Sequence, residues 1–136
     1  MYEQLTTFSD ELSAEQYGEW TGNQEGDGSL EHPFQMPFVI YSQTVMRLMD
    51  AIQQFVDDHN DWGLTAYDEI LEQAGIKWKR DSMSRADVNT LDGRTVVALL
   101  VAAMRAERFC DGAMLGFCED GSIRKWLLRL KEIDQG

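Results

Sequence analysis

From residue 42 onward, apolar side chains recur every three or four positions, whereas the residues before it hold no sustained period. Val45, Leu48, Met49, Ile52, Phe55 and Val56 share one face of a helix, with Asp50, Asp57 and Asp58 on the other. Ser42 or Thr44 is placed to cap it, because a hydroxyl oxygen accepts the backbone N–H groups left over in a first turn; the pattern then runs to about His59. Tyr67, Ile70, Leu71 and Ala74 predict a second, short helix, opened by Thr65 and Asp68 as a capping box. Gly75 followed by Ile76 closes it as a C′ glycine with its hydrophobic contact. Residues 78–94 are polar and read mostly as connection, Ser84 and Asp87 capping a single turn. Asp92 then opens the most apolar stretch, VVALLVAAM, which is hydrophobic on every face, as a helix enclosed by others is. Asp111-Gly112 and Asp120-Gly121 each set a cap-type residue before a further helical run. The second run carries Ile123, Trp126, Leu127, Leu130 and Ile133 inward, with Arg124, Lys125, Arg129 and Lys131 outside.

The amino-terminal part follows other rules. Ser13 with Gln16 has capping-box spacing for a short helix that Gly18 would end. Residues 20–35 are rich in Gly, Asn and Asp, and Asp27-Gly28 is a hairpin-turn dipeptide. Phe38-Val39-Ile40-Tyr41, aromatic and β-branched after Pro37, is either a short strand or an extended lead-in to the next helix. The expected fold is mostly α: a single compact domain of about five helices around a central apolar helix. Residues 1–41 would form a loop-rich or short β-hairpin arm and residues 42–134 the helical core.

Composition narrows the function. With 43% hydrophobic residues the chain is too apolar to be disordered, and no apolar run approaches the roughly 20 residues of a membrane helix. The first residues lack a basic stretch and an apolar core, so a cytoplasmic protein without membrane attachment is expected. Cys110 and Cys118, eight apart in an expected helix and so about 12 Å from one another, are beyond disulfide reach and read as small buried thiols. Charge is uneven. Residues 1–75 hold 15 acids and one base, Arg47, a net of −14; residues 76–136 hold nine acids and 11 bases, a net of +2. Such asymmetry predicts that the acidic part lies against the late arginines and pairs with them. Scattered cations do not make the basic stripe that general nucleic-acid binding needs. A protein partner meeting the acidic face fits better.

Candidate chemistry is sparse. Asn23, Glu25, Asp27, Gly28 and Ser29 imitate the start of a calcium loop, but Phe34 stands where the bidentate carboxylate belongs. His32 and His59, the two histidines, have no metal-ligand spacing, and no phosphate-cradle or nucleophile motif is present, so neither a metal nor a cofactor is implied. One constellation stands out at the end of the apolar helix. Arg105 and Arg108 lie one turn apart on a helix whose earlier turns are buried, and two guanidinium groups there require acceptors. Either Glu107, Asp111 or carboxylates of the acidic arm satisfy them, or they hold an anionic ligand in a pocket roofed by the loop around His32 and Gln35. The candidate binding set is Arg105, Glu107, Arg108 and Asp111, with His32, Gln35 and Tyr41.

Two blocks carry a resemblance: Glu31-His32-Pro33 with Gln35-Met36-Pro37-Phe38-Val39 and Tyr41-Ser42, and Arg105 to Phe109 with Asp111-Gly112, Asp120-Gly121, Lys125-Trp126-Leu127 and Arg129 to Asp134. Together they resemble a family of small acidic bacterial proteins catalogued only as a domain of unknown function. The resemblance implies a bacterial, cytosolic setting and brings no activity, cofactor or substrate with it. Expected is a non-enzymatic binding or protein-interaction module. The alternatives are an anionic-ligand binder or enzyme built on Arg105, Arg108 and Asp111, a phage or mobile-element inhibitor that imitates nucleic acid, and a homo-oligomer with Trp62, Trp78 or Trp126 between subunits.

Overall fold

The computed structural model describes residues 2–12, 17–21, 38–110 and 112–135. Along these the chain forms α1 (Glu3–Thr6), α2 (Phe8–Glu11), β1 (Gly18–Thr21), β2 (Phe38–Tyr41), α3 (Gln43–Asp58), α4 (Tyr67–Gln73), α5 (Arg80–Arg85), α6 (Gly93–Ala106), α7 (Ala113–Glu119) and α8 (Ser122–Gln135). The fold is mostly α, as the periodicity predicts, with one small antiparallel hairpin. Every residue from Val96 to Ala103 in α6 is buried, because α4, α7 and α8 pack around it and α3 brings Leu48, Ile52 and Phe55 into the same core. Among the described residues no helix is long and apolar enough to cross a membrane.

Caps account for most boundaries. Ser42 is extended and its hydroxyl accepts the Val45 N–H at 3.3 Å, fixing the start of α3. Asp92 does the same for α6 through the Thr95 N–H at 2.9 Å, and Asp120 for α8 through the Ser122 N–H at 2.9 Å. The Thr65–Asp68 capping box does not form: Thr65 lies in a 3₁₀ turn, Leu64–Ala66, and Ala66 precedes α4 without a side-chain cap. Ser84 is likewise not a cap. Its hydroxyl donates to Asp120 at 3.0 Å and accepts from Ser122 at 2.9 Å, tying α5 to the start of α8. Gly93 is required by space. A Cβ there would stand 2.6 Å from Tyr2 Cζ, so the missing side chain lets the phenol ring lie against the first turn of α6.

The amino-terminal part departs from the sequence reading. Tyr2, Leu5, Phe8 and Leu12 are buried on α1 and α2, which dock against α3 and α8, and the Tyr2 N–H donates to Asp134 Oδ2 at 2.8 Å. Gly18 ends no helix. It opens β1 opposite Tyr41, with Glu19, Trp20 and Thr21 opposite Ile40, Val39 and Phe38. The expected Ser13–Gln16 capping box, the Asp27-Gly28 turn and the calcium-like segment lie outside the described residues.

Two further expectations are corrected. Cys118 is a buried thiol, but Cys110 is exposed in the turn after α6. Trp126 is 0% exposed within the chain, so it cannot be a contact between subunits. The expected pairing of acidic and basic halves also takes another form. Three late arginines do reach the acidic half, each to an uncharged acceptor: Arg94 Nε to the Trp62 carbonyl (2.8 Å), Arg124 Nε to the Ser9 carbonyl (3.3 Å) and Arg105 Nη2 to Gln53 Oε1 (3.0 Å). Ion pairs among the described residues stay within one half, namely Arg47–Glu11, Arg80–Asp120 and Arg129–Glu132. Carbonyls at the ends of short turns lack intrahelical donors and need a partner, whereas exposed carboxylates are already hydrated.

Candidate functional site

Beyond Ala106 the chain makes one more tight turn, with Arg108 N–H donating to the Arg105 carbonyl (3.1 Å) and Phe109 N–H to the Ala106 carbonyl (3.0 Å). Gly112, at φ 89°, then turns it into α7, a left-handed conformation that favours glycine. Glu107 holds this turn. Its Oε1 accepts the Tyr41 hydroxyl (2.5 Å) and the Met114 N–H (3.0 Å), and its Oε2 accepts the Gly112 N–H (2.9 Å). Tyr41 Oη in turn accepts the Leu115 N–H at 3.0 Å. Burial and the adjacent carboxylate both push the Tyr41 hydroxyl above the usual phenol range, keeping it a donor. Two candidate binding residues, Glu107 and Tyr41, are thus occupied in capping α7, the role that sequence assigned to Asp111. Asp111, His32 and Gln35 lie outside the described residues.

The two arginines are brought together. Arg105 and Arg108 line a cavity of about 230 Å³ with Thr65, Tyr67 and Phe109. Arg105 donates to Gln53, whose Nε2 donates on to Asp57 Oδ1 at 3.2 Å, so an amide stands between the guanidinium and Asp57 of α3. Among the described residues no carboxylate lies within 4.0 Å of either guanidinium. Burial, with Asp68, raises the Tyr67 hydroxyl above its usual value against the opposing pull of Arg105 and Arg108, leaving a protonated donor beside both cations.

An aromatic ladder continues from there: Tyr67 meets Trp78 edge-on at 5.3 Å and Trp78 meets Phe109 at 5.8 Å. Trp78 is pinned by its indole N–H on the Ala102 carbonyl at 3.2 Å yet remains 40% exposed, and Phe109 is 78% exposed. A second cavity of about 400 Å³ shares Phe109 and is walled by Trp78, Met83, Ala106 and Phe117, with Lys79 and Arg80 on its lining. Gln53, Thr65, Tyr67, Trp78 and Phe109 were not in the binding set read from sequence, which placed Trp78 only as a contact between subunits. The readable signal was a large aromatic residue directly after Arg105-x-x-Arg108, outside any apolar stripe, and a tryptophan set between Lys77 and Lys79.

Elsewhere the titratable groups serve the fold. His59 ends α3 with Nδ1 at 2.9 Å from the Phe55 carbonyl and stacks on the Phe55 ring at 3.9 Å, which makes it a packing residue and more buried than a surface helix end. Among the described residues no three His, Cys, Asp or Glu side chains gather as a metal site. Comparison with curated proteins and with solved structures gives no match. A family model described as a family of unknown function, DUF6508, matches residues 2–136, and the chain belongs to that family.

Proposed function

We propose that this chain is a non-enzymatic binding protein that holds an anionic group, a carboxylate or phosphate, on Arg105 and Arg108. The observation that supports the reading is a pair of guanidinium groups on one open cavity with no carboxylate within 4.0 Å among the described residues. A guanidinium offers two parallel N–H donors that match a carboxylate or phosphate edge, and Tyr67 adds a hydroxyl donor rather than a base. A cytoplasmic, bacterial setting belongs to the same proposal and is supported by the resemblance and by two cysteines that stay unbridged. Titration of ¹⁵N-labelled protein with inorganic pyrophosphate tests it. The Nε–H resonances of Arg105 and Arg108 should shift together and saturate, while those of Arg47 and Arg85 stay in place; equal, unsaturated shifts at all arginines would remove the reading.

A second reading, docking of a basic protein partner or imitation of nucleic acid, is favoured by the exposed carboxylates of Asp50, Asp57, Asp58, Asp61, Asp68, Glu69 and Glu72. Such a partner is lost as salt rises, because exposed charges are screened beyond about 10 Å at 0.1 M.

A further inference from the structure

Resting on that anion site, we propose that its ligand is an amphiphilic organic acid, with the anionic group on Arg105 and Arg108 and an aliphatic or aromatic body in the adjoining cavity of Trp78, Met83, Ala106 and Phe117. Phe109 belongs to both linings, so a ligand that spans them needs only a short link between its charged and apolar parts. The larger cavity, about 400 Å³, falls within the roughly 300–1,000 Å³ of small-molecule sites. Apart from Lys79 and Cys110, its walls offer a polar body little. The Trp78 N–H is already spent on Ala102, and Arg80 is drawn to Asp120 at 3.5 Å and to the Gly116 carbonyl at 3.3 Å. A sugar or nucleobase there would leave its own polar groups without partners, whereas an alkyl chain or arene would not. Phe109 at 78% exposure and Trp78 at 40% are the large aromatic surfaces that such a body would take out of water. Charge completes the argument. A chain of net charge −12 repels anions at long range, so an inorganic anion gains only the local arginine contacts, and burial of an apolar body must supply the rest.

The experiment titrates the full chain with octanoate, acetate, 1-octanol and inorganic pyrophosphate, following the arginine Nε–H, Trp78 indole N–H and Phe109 amide resonances. Octanoate should bind once per chain, at least about tenfold more tightly than acetate or octanol, and shift all of these signals. Ala113→Leu, which narrows the larger cavity from a half-buried position outside the arginine lining, should lower octanoate affinity towards that of acetate and leave both pyrophosphate binding and the melting transition unchanged. The double variant Arg105→Gln/Arg108→Gln should bring octanoate down to octanol. If pyrophosphate saturates the arginines but octanoate binds no better than acetate, the amphiphile is wrong and the anion site stands. If octanol equals octanoate, the amphiphile is likewise wrong and pyrophosphate alone decides the anion site; if no probe moves these signals, both fall.

Discussion

Substituting Glu107 by alanine removes three accepted hydrogen bonds from one turn, those of Tyr41, Gly112 and Met114. Loss of a helix cap costs about 1 kcal/mol, and a hydrogen bond to a charged group contributes about 1.5–3 kcal/mol when its partner is stranded. Glu107 is only half-buried and water reaches part of the gap, so the lower values apply, and the expected loss is about 2–3 kcal/mol. Tyr41→Phe deletes one donor and one acceptor of the same network and should cost about 1–1.5 kcal/mol. Because the two groups bond each other at 2.5 Å, the double variant should fall short of additivity by about 1 kcal/mol. Glu107→Gln should recover little, since its amide NH₂ would face a backbone N–H. Urea unfolding reads these losses as shifts of midpoint at constant slope. A loss below about 0.5 kcal/mol for Glu107→Ala, or an additive double variant, would refute the assignment of Glu107 and Tyr41 as the cap of α7.

Gly93→Ala should destabilise the fold by about 1–3 kcal/mol by pushing the Tyr2 ring off α6, and by less in a Tyr2→Phe background, as thermal melting of the four proteins would show. Raising salt from about 0.01 M to about 1 M should raise the melting temperature, because screening relieves the −12 net charge while the arginine ties between the halves end on uncharged acceptors; a fall would point to ion pairs across the halves. A thiol reagent should modify Cys110 alone in the native protein and both cysteines in denaturant. Burial, then Asp120 and Glu119, push the Cys118 thiol up to about 12. Its folded value lies above the unfolded one, so its contribution to stability is complete below pH about 9 and is lost as pH climbs from there towards 12. Cys118→Ala should flatten part of that alkaline loss in melts taken across the range.

The sequence was most legible where a long stripe and a cap agreed. In α3, Ser42 and the Val45-to-Val56 spacing define the helix independently, and in α6 Asp92 and an unbroken apolar run do so. Helices α1 and α2 escaped because four residues make scarcely one turn, too little for a period to show, and their order comes from docking Leu5 and Leu12 into the core. Gly18 reads equally as a helix stop or a strand residue until its partner Tyr41, 23 positions away, is known. In the site, the arginine pair followed from helical spacing, but the fate of Glu107 did not. A carboxylate that caps a helix from the turn before it, with help from a tyrosine 66 residues earlier, leaves no local pattern. Gln53 was invisible as the Arg105 acceptor for a similar reason: charge arithmetic looks for acids, and the side chain in reach is neutral.

The arginine links from Arg94 to Trp62 and from Arg124 to Ser9 end on peptide oxygens, and peptide oxygens take up no proton at any acidity a cell meets. Mild acidification therefore leaves these tethers intact while each carboxyl that picks up a hydrogen ion eases the crowding of negative groups in the first 75 residues. Down to the point where the aspartate helix caps at Asp92 and Asp120 begin to fail, these two tethers hold against a repulsion that grows weaker as the solution sours.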